Sequence, residues 1–445
     1  MNGQTNRIRN SGWLWVPCVY FDEGLPFAVA TVVSMIIFTG MGMSNSAMTF
    51  WTGIIGLPWS LKFLWAPILD AYGTKRAWML SAQLVIACCF AMIACAFRLE
   101  HPAPMLIVAL FFFTAFVSAT HDIAADGYYM LALDSHGQAI YSGLRNVFYK
   151  CAMLTGQGGL VLFAGKLTDS GMTKNTAWMW AMFAVSAVSV LIFLILLFTA
   201  PSESMTSAPG AQKLGAAKVF YESSRSFLFR KGAAAAVAFL FFYRFAEAQL
   251  GKISVPFLLG TRESGGLGIS VSDFGFFYGT CGVICFLTGG FLAGLAVSRF
   301  GFGKCFLPMA LAMNVPDIVY VFLSYSYPSV PVAGACIALE QFGYGFGYMA
   351  HVLFMVQFAE KSGEFRTTHF AFMTGITILG MTLIGMLSGS VQELFASLSG
   401  GNSVLGYRWF FLWICLCTIP SFISVFLVRS SVDPEFGKKK ASSVS

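Results

Sequence analysis

Twelve apolar runs, each long enough to cross a bilayer as a helix, dictate what this chain can become. A span needs about 20 mostly apolar residues. Such runs occupy 14–38, 47–69, 77–97, 104–127, 138–165, 177–199, 232–258, 272–297, 304–325, 331–358, 367–392 and 407–428. Backbone donors and acceptors cannot stay unpaired in hydrocarbon, and runs of this length satisfy them only as helices. Of the 445 residues, 57% are hydrophobic and 11% charged, about half the charged share of a soluble protein. The expected fold class is therefore an all-α membrane protein with lipid as its solvent. The net charge of +7 comes with no basic patch interleaved with aromatics, so nucleic acid is not an expected partner. The 11 cysteines lie almost wholly inside the apolar runs without zinc-ligand spacing, so neither a metal nor a disulfide is expected. Arg7 and Arg9 precede a long first run with no small-residue cleavage site, which reads as a retained span.

Short loops join the runs except at 200–231, a polar and basic stretch. It divides the chain into six spans at 1–199, a cytoplasmic linker at 200–231, six spans at 232–428 and a tail at 429–445. With the N-terminus inside, 17 of the 27 Lys and Arg fall on cytoplasmic segments, 5 on outer loops and 5 within spans. The positive-inside rule then places both termini in the cytoplasm. The groups of six also repeat a feature. Span 2 ends in Asp70-Ala-Tyr-Gly73-Thr-Lys75-Arg76, and span 8 ends in Gly294 to Ser298-Arg299-Phe-Gly301-Phe-Gly303-Lys304. Both are tight basic turns between the second and third spans of their group. Twelve helices in two six-helix halves predict the major facilitator fold, with a midplane site between the halves.

Spans 3, 6 and 12 have uncharged interiors, whereas spans 1, 2, 4, 5, 7 and 10 carry nearly all the buried charge, Asp317 in span 9 being the exception. Charges at such depth are expensive and mark pathways, relays or internal pairs. The stretch Thr120-His121-Asp122-Ile-Ala-Ala-Asp126 puts two acids four residues apart, on one helix face. At 1.5 Å per residue, Asp22, Glu23, Lys62, Asp122 and Arg145 share a layer on the order of 10 Å from the cytoplasmic ends of their spans, and Lys150 lies about 8 Å further out. Arg244, Glu247 and Glu340 fall near the midplane, with Arg244 and Glu247 spaced to pair on one face.

These positions assign roles. Asp122, Glu247 and Glu340 are expected to carry protons. Asp22, Glu23, Lys62, His121, Arg145, Lys150, Arg244, Tyr344, Tyr348 and His351 are expected to bind substrate or gate, and Asp70, Lys75, Arg76 and Asp126 to form a cytoplasmic gate. Pairing that only stabilises the bundle remains the alternative for each, and packing remains one for His121, His351 and the Gly343–Gly347 run. With no hydrolase triad, no nucleotide loop and no extramembrane domain for an ATPase, the chain reads as neither an enzyme nor a cofactor protein, and a gradient must drive it. Its expected partners are a small-molecule substrate, protons and the bilayer, with the chain acting as a monomer.

Several stretches resemble one branch of the major facilitator superfamily, the AmpG muropeptide permeases and acetyl-CoA transporters. Gly24-Leu25-Pro26 looks like the opening motif of span 1, and Leu61-Lys62-Phe-Leu-Trp65-Ala-Pro67-Ile-Leu-Asp70 is similar to the span 2 motif. Thr120-His121-Asp122 to Asp126-Gly127-Tyr128 looks like the span 4 motif, with both acids kept, and Phe358 to Ser362 through His369-Phe-Ala371 resembles the turn after span 10. His121 stands where an amide is commoner, and Asp22-Glu23 adds two acids before Gly24. The resemblance implies proton-coupled import of anhydromuropeptide, or a related cell-wall glycopeptide, from periplasm to cytoplasm across a bacterial inner membrane. A siderophore or acyl-CoA thioester is the alternative cargo, and a non-transporting sensor on the same fold the alternative class.

Overall fold

The computed structural model describes residues 12–99, 102–133, 135–202, 225–362 and 366–438, all helices, turns and loops, with no strand among them. Most of the expected linker at 200–231 and the end of the tail lie outside the described residues, as does the side chain of Asp70. Among the described residues, ten helices are long and apolar enough to cross a membrane. They are α1 (Gly12–Gly40), α3 (Lys75–Ala96), α4 (Pro104–Ala132), α5 (Ile140–Asp169), α6 (Lys174–Thr199), α7 (Ala233–Leu259), α8 (Val271–Phe300), α9 (Phe302–Ser326), α11 and α12; α11 spans Arg366–Leu398 and α12 Ser403–Val428. Two more occupy the remaining expected spans. α2 (Asn45–Leu61) has 17 residues, and α10 (Val330–Glu360) has 31 but is diluted by glycine and polar residues. Their order is compatible with the expected twelve.

The chain divides into two compact units, Met1–Pro209 with Ser270–Thr280, and Gly210–Ile269 with Cys281–Ser445. Inside the first, α1 packs on α5, α3 on α4, α6 on α3 and α2 on α4; inside the second, α7 packs on α11, α9 on α10, α12 on α9 and α8 on α10. The packing order is the same when each helix is advanced by six. Corresponding basic turns carry Gly73 (φ 71°) and Gly301 (φ 84°) in the left-handed region, where a side chain is strained. Arginines tie down helix C-termini in both units. Arg76 donates to the carbonyls of Leu197 (2.8 Å) and Ala200 (3.1 Å), and Arg230 to those of Phe358 (3.0 Å) and Lys361 (3.0 Å). Each satisfies carbonyls that a helix end leaves without donors.

Proline and glycine set the irregular points. Pro67 cannot donate within a helix, so α2 stops at Leu61, makes a tight turn over Lys62–Leu64 and restarts as Ala66–Ala71 with the proline in its first turn. Pro316 likewise gives α9 a tight turn over Val315–Asp317, leaving the carbonyl of Ala312 without its helical donor. Gly343 of α10 lies against that freed oxygen, Gly345 against the Phe286 carbonyl of α8, and Gly347 against Met309 and Met313 of α9. The Gly343–Gly347 run is thus the close-packing surface of α10, and only hydrogen fits there. Gly24 does the same for α1, where a Cβ would sit 2.7 Å from the Tyr149 carbonyl of α5.

Gly345→Ala is expected to lower the thermal unfolding midpoint of the detergent-solubilised protein, by an overpacking cost of about 1–3 kcal/mol. Gly375→Ala in α11, where a Cβ meets nothing within 4 Å, is expected to leave the midpoint unchanged or raise it.

Candidate functional site

The first unit gathers its charges on α1, α2, α4 and α5. The tight turn after α2 aims Lys62 at α4, where it forms an ion pair with Asp122. Trp65 fixes that turn. Its Nε1 donates to Thr120 Oγ1 at 3.1 Å, and its ring lies 4.8 Å from that of Phe116. The Lys-x-x-Trp and Thr-x-Asp spacings of the two motifs are therefore one clamp seen from its two strands of sequence. Asp122 is buried, while the Lys62 side chain stays 35% exposed. One turn along α4, Asp126 pairs with Arg145 of α5 at 2.9 Å and accepts from the Tyr20 hydroxyl at 3.0 Å. The Arg145 guanidinium lies over the rings of Tyr20 (4.5 Å) and Tyr129 (5.4 Å). Glu23 sits in the field of Asp122, Asp126 and Lys62, and its Oε2 is buried with no hydrogen-bond partner.

Asp22 and His121 take a different direction. Successive helical residues point about 100° apart, so Asp22 turns away from Glu23, and His121 away from Asp122. The two meet at 3.6 Å with both side chains fully buried. Gln83 of α3 and Ser189 of α6 are near Asp22, at longer range than a hydrogen bond. The structure thus splits the expected charged layer in two: a partly exposed chain of Lys62, Asp122, Glu23, Asp126 and Arg145, and a dry cluster of Asp22, His121, Gln83 and Ser189. Lys150 lies 6.0 Å from the ring of Tyr149. Among the gate residues, Arg76 serves α6 as described, and the Lys75 stem covers Gly127 of α4, where a Cβ would be 3.0 Å away.

In the second unit, the pairing of Arg244 with Glu247 is not made. α7 breaks at Tyr243 and Arg244, between Ala233–Phe242 and Phe245–Leu259. The two side chains therefore do not share a regular face. Arg244 donates to the Tyr344 hydroxyl and lies over the rings of Tyr344 (5.4 Å) and Tyr348 (5.0 Å). His351 bonds Thr377 Oγ1 through Nε2 at 2.9 Å and stacks on Phe239 and Tyr243, the arrangement of a packed core histidine. Glu247 and Glu340 come together with Asp317, one carboxylate oxygen of each lying within 4.8 Å of the others. The sequence left Asp317 without a partner. A lone acid directly after a proline in an otherwise apolar span was the available signal. A cavity of about 570 Å³ is lined by Arg225, Arg230, Lys361, Ser362 and His369, before α7, at the end of α10 and at the start of α11.

No family model matches the chain. It is 26% identical over 426 residues to a Haemophilus influenzae protein of no assigned activity, covering 92% of each. It is 23% identical over 420 residues to the anhydromuropeptide permease of Escherichia coli, covering 93% of this chain and 79% of the permease. A Rickettsia conorii protein named for AmpG is 21% identical over 430 residues, with 92% and 95% covered. Among solved structures, a D-xylose–proton symporter superposes with a TM-score of 0.71 at 13% identity, covering 96% of this chain and 98% of that one. The nucleoside transporter NupG gives 0.69 at 12%, covering 93% and 99%. At such identities the solved structures carry the fold alone. The chain is an all-helical, multi-pass membrane protein with the fold of the major facilitator transporters, similar in sequence over most of its length to AmpG-like permeases.

Proposed function

We propose that the protein imports anhydromuropeptide, or a related cell-wall glycopeptide, from periplasm to cytoplasm across a bacterial inner membrane, in symport with protons and with both termini in the cytoplasm. The observation that carries this reading is the Lys62–Asp122 ion pair, clamped by Trp65 and Thr120 inside one six-helix unit. The similarity to the Escherichia coli anhydromuropeptide permease supports the cargo class.

The chemistry follows from the pair. In a low-dielectric interior each charge needs the other, because an uncompensated ion there is costly. A proton on Asp122 cancels that need and releases the Lys62 ammonium. The freed ammonium then takes an anionic group of the cargo, such as a peptide carboxylate. Loss of the proton draws Lys62 back to Asp122 and expels the anion. Glu23, beside both with one buried, unpartnered oxygen, is the neighbour that passes the proton to or from Asp122. The Arg145–Asp126 pair, held by Tyr20 and Tyr129, acts nearer the cytoplasmic end and gates that exit.

In proteoliposomes, the wild type is expected to accumulate anhydromuropeptide under an inward proton gradient and not to accumulate a siderophore or an acyl-CoA. Asp122→Asn is expected to abolish that accumulation while retaining part of the exchange across equal pH. Wild-type accumulation by Asp122→Asn would remove this residue from coupling, and gradient-driven uptake of another cargo would overturn the substrate. Lys62→Ala is expected to raise the half-saturation concentration about tenfold or more, the loss of one charge-assisted contact of about 1.5–3 kcal/mol, measured as the concentration dependence of exchange.

A further inference from the structure

Two helices of the second unit lose regular winding where they carry an acid. α7 restarts at Phe245 with Glu247 in its first turn, and α9 makes its tight turn at Val315–Asp317. The unbroken α10 brings Glu340 to the same place. One oxygen from each carboxylate lies within 4.8 Å of the other two, and the residues are 9%, 2% and 2% exposed in the order Glu247, Asp317, Glu340. Glu340 receives Gln341 Nε2 at 3.0 and 3.3 Å. Glu247 Oε2 and Asp317 Oδ1 are buried with no hydrogen-bond partner at all. Two nine-tenths-buried acids thus each keep an unsatisfied oxygen within one small group.

The surrounding groups do not supply the missing positive charge. On the same helix, Arg244 acts on Glu247 through its charge but without an ion-pair contact, and its guanidinium is engaged by the Tyr344 hydroxyl and the faces of Tyr344 and Tyr348. α12 contributes the neutral Cys415 near Asp317. Lys252, further along α7, lays its stem on Gly385 of α11. With all three acids ionised, one guanidinium leaves the cluster short of positive charge, in an interior where such a deficit is costly. An all-oxygen ligand set selects a hard cation. Since every two of these oxygens lie within 4.8 Å of each other, an ion at their centre would be at most about 2.8 Å from each, a bound that admits the 2.3–2.6 Å calcium takes. Magnesium usually keeps several waters, which a dry site of this kind disfavours. Discontinuous membrane helices whose broken backbone adds carbonyl oxygens are a known way to complete such coordination.

We propose that Glu247, Asp317 and Glu340 form a binding site for a hard metal cation of sodium or calcium size, inside the second unit and separate from the Lys62–Asp122 pair. The site needs no organic substrate, so it stands or falls apart from the cargo.

The test is equilibrium binding of ²²Na⁺ and, separately, of ⁴⁵Ca²⁺ to the purified full chain in lipid nanodiscs. One of the two is expected to bind saturably at one ion per chain. Glu247→Gln, Asp317→Asn and Glu340→Gln are each expected to weaken that binding at least tenfold, while Asp122→Asn in the other unit leaves it within twofold. Each replacement keeps the shape of the side chain and removes one charge from a repulsive cluster, so monodisperse elution and an undiminished unfolding midpoint are expected. Should one of them fail to fold, Glu340→Asp keeps the charge, withdraws the oxygen by one methylene and is expected to weaken binding. Absence of saturable binding of both ions to the wild type would overturn the site. So would binding that Glu247→Gln and Asp317→Asn, or Glu340→Asp in their place, leave unchanged.

Discussion

A charge held in hydrocarbon must find an opposite charge, a hydrogen-bond partner or an open path to water, and that demand organises both units of this protein. In the first unit it goes with a splitting of neighbours. Asp22 and Glu23 are consecutive on α1, His121 and Asp122 consecutive on α4, and the turn of the helix sends each pair in two directions. The inward members meet at 3.6 Å in a dry cluster beside Gln83 of α3 and Ser189 of α6, with no hydrogen bond among them. The outward members reach Lys62, Asp126 and Arg145 on a surface where the basic side chains keep about one-third of their exposure. The dry cluster and the partly exposed ion pairs thus lie on different faces of the same two helices.

Backbone irregularity decides where those faces lie. Pro67 ends α2 early, and the resulting turn delivers Lys62 to Asp122 with Trp65 as its anchor. Pro316 opens α9 at Asp317, and the carbonyl it frees is met by Gly343. The break in α7 carries Arg244 to Tyr344 and leaves Glu247 among acids. In a membrane, such breaks persist only where protein or a polar group compensates them.

The helical class and the approximate spans were legible because hydrocarbon permits few alternatives to a helix of the right length. Asp122 stood out as half of an acid pair at helical spacing, and Lys62 as a cation in the preceding span. Their partnership was not legible, because spacing along one helix says nothing of which neighbour faces it. For the same reason Arg145 was open to several acids until the structure paired it with Asp126. Asp317 was invisible as a site because its companions lie on two other helices, and one acid behind a proline makes no pattern. The Arg244–Glu247 expectation failed because it assumed a regular helix where α7 breaks. Tyr344 and Tyr348 were expected to bind substrate or gate; the structure places the Arg244 guanidinium over their rings.

The central claim is that Asp122 exchanges its ion pair with Lys62 for a proton. Infrared difference spectra of the reconstituted protein, recorded as pH is lowered, observe that exchange directly. The account predicts a protonated-carboxyl stretch of one group per chain that is absent in Asp122→Asn and shifted on addition of anhydromuropeptide. A spectrum in which Asp122→Asn keeps the same band would contradict it.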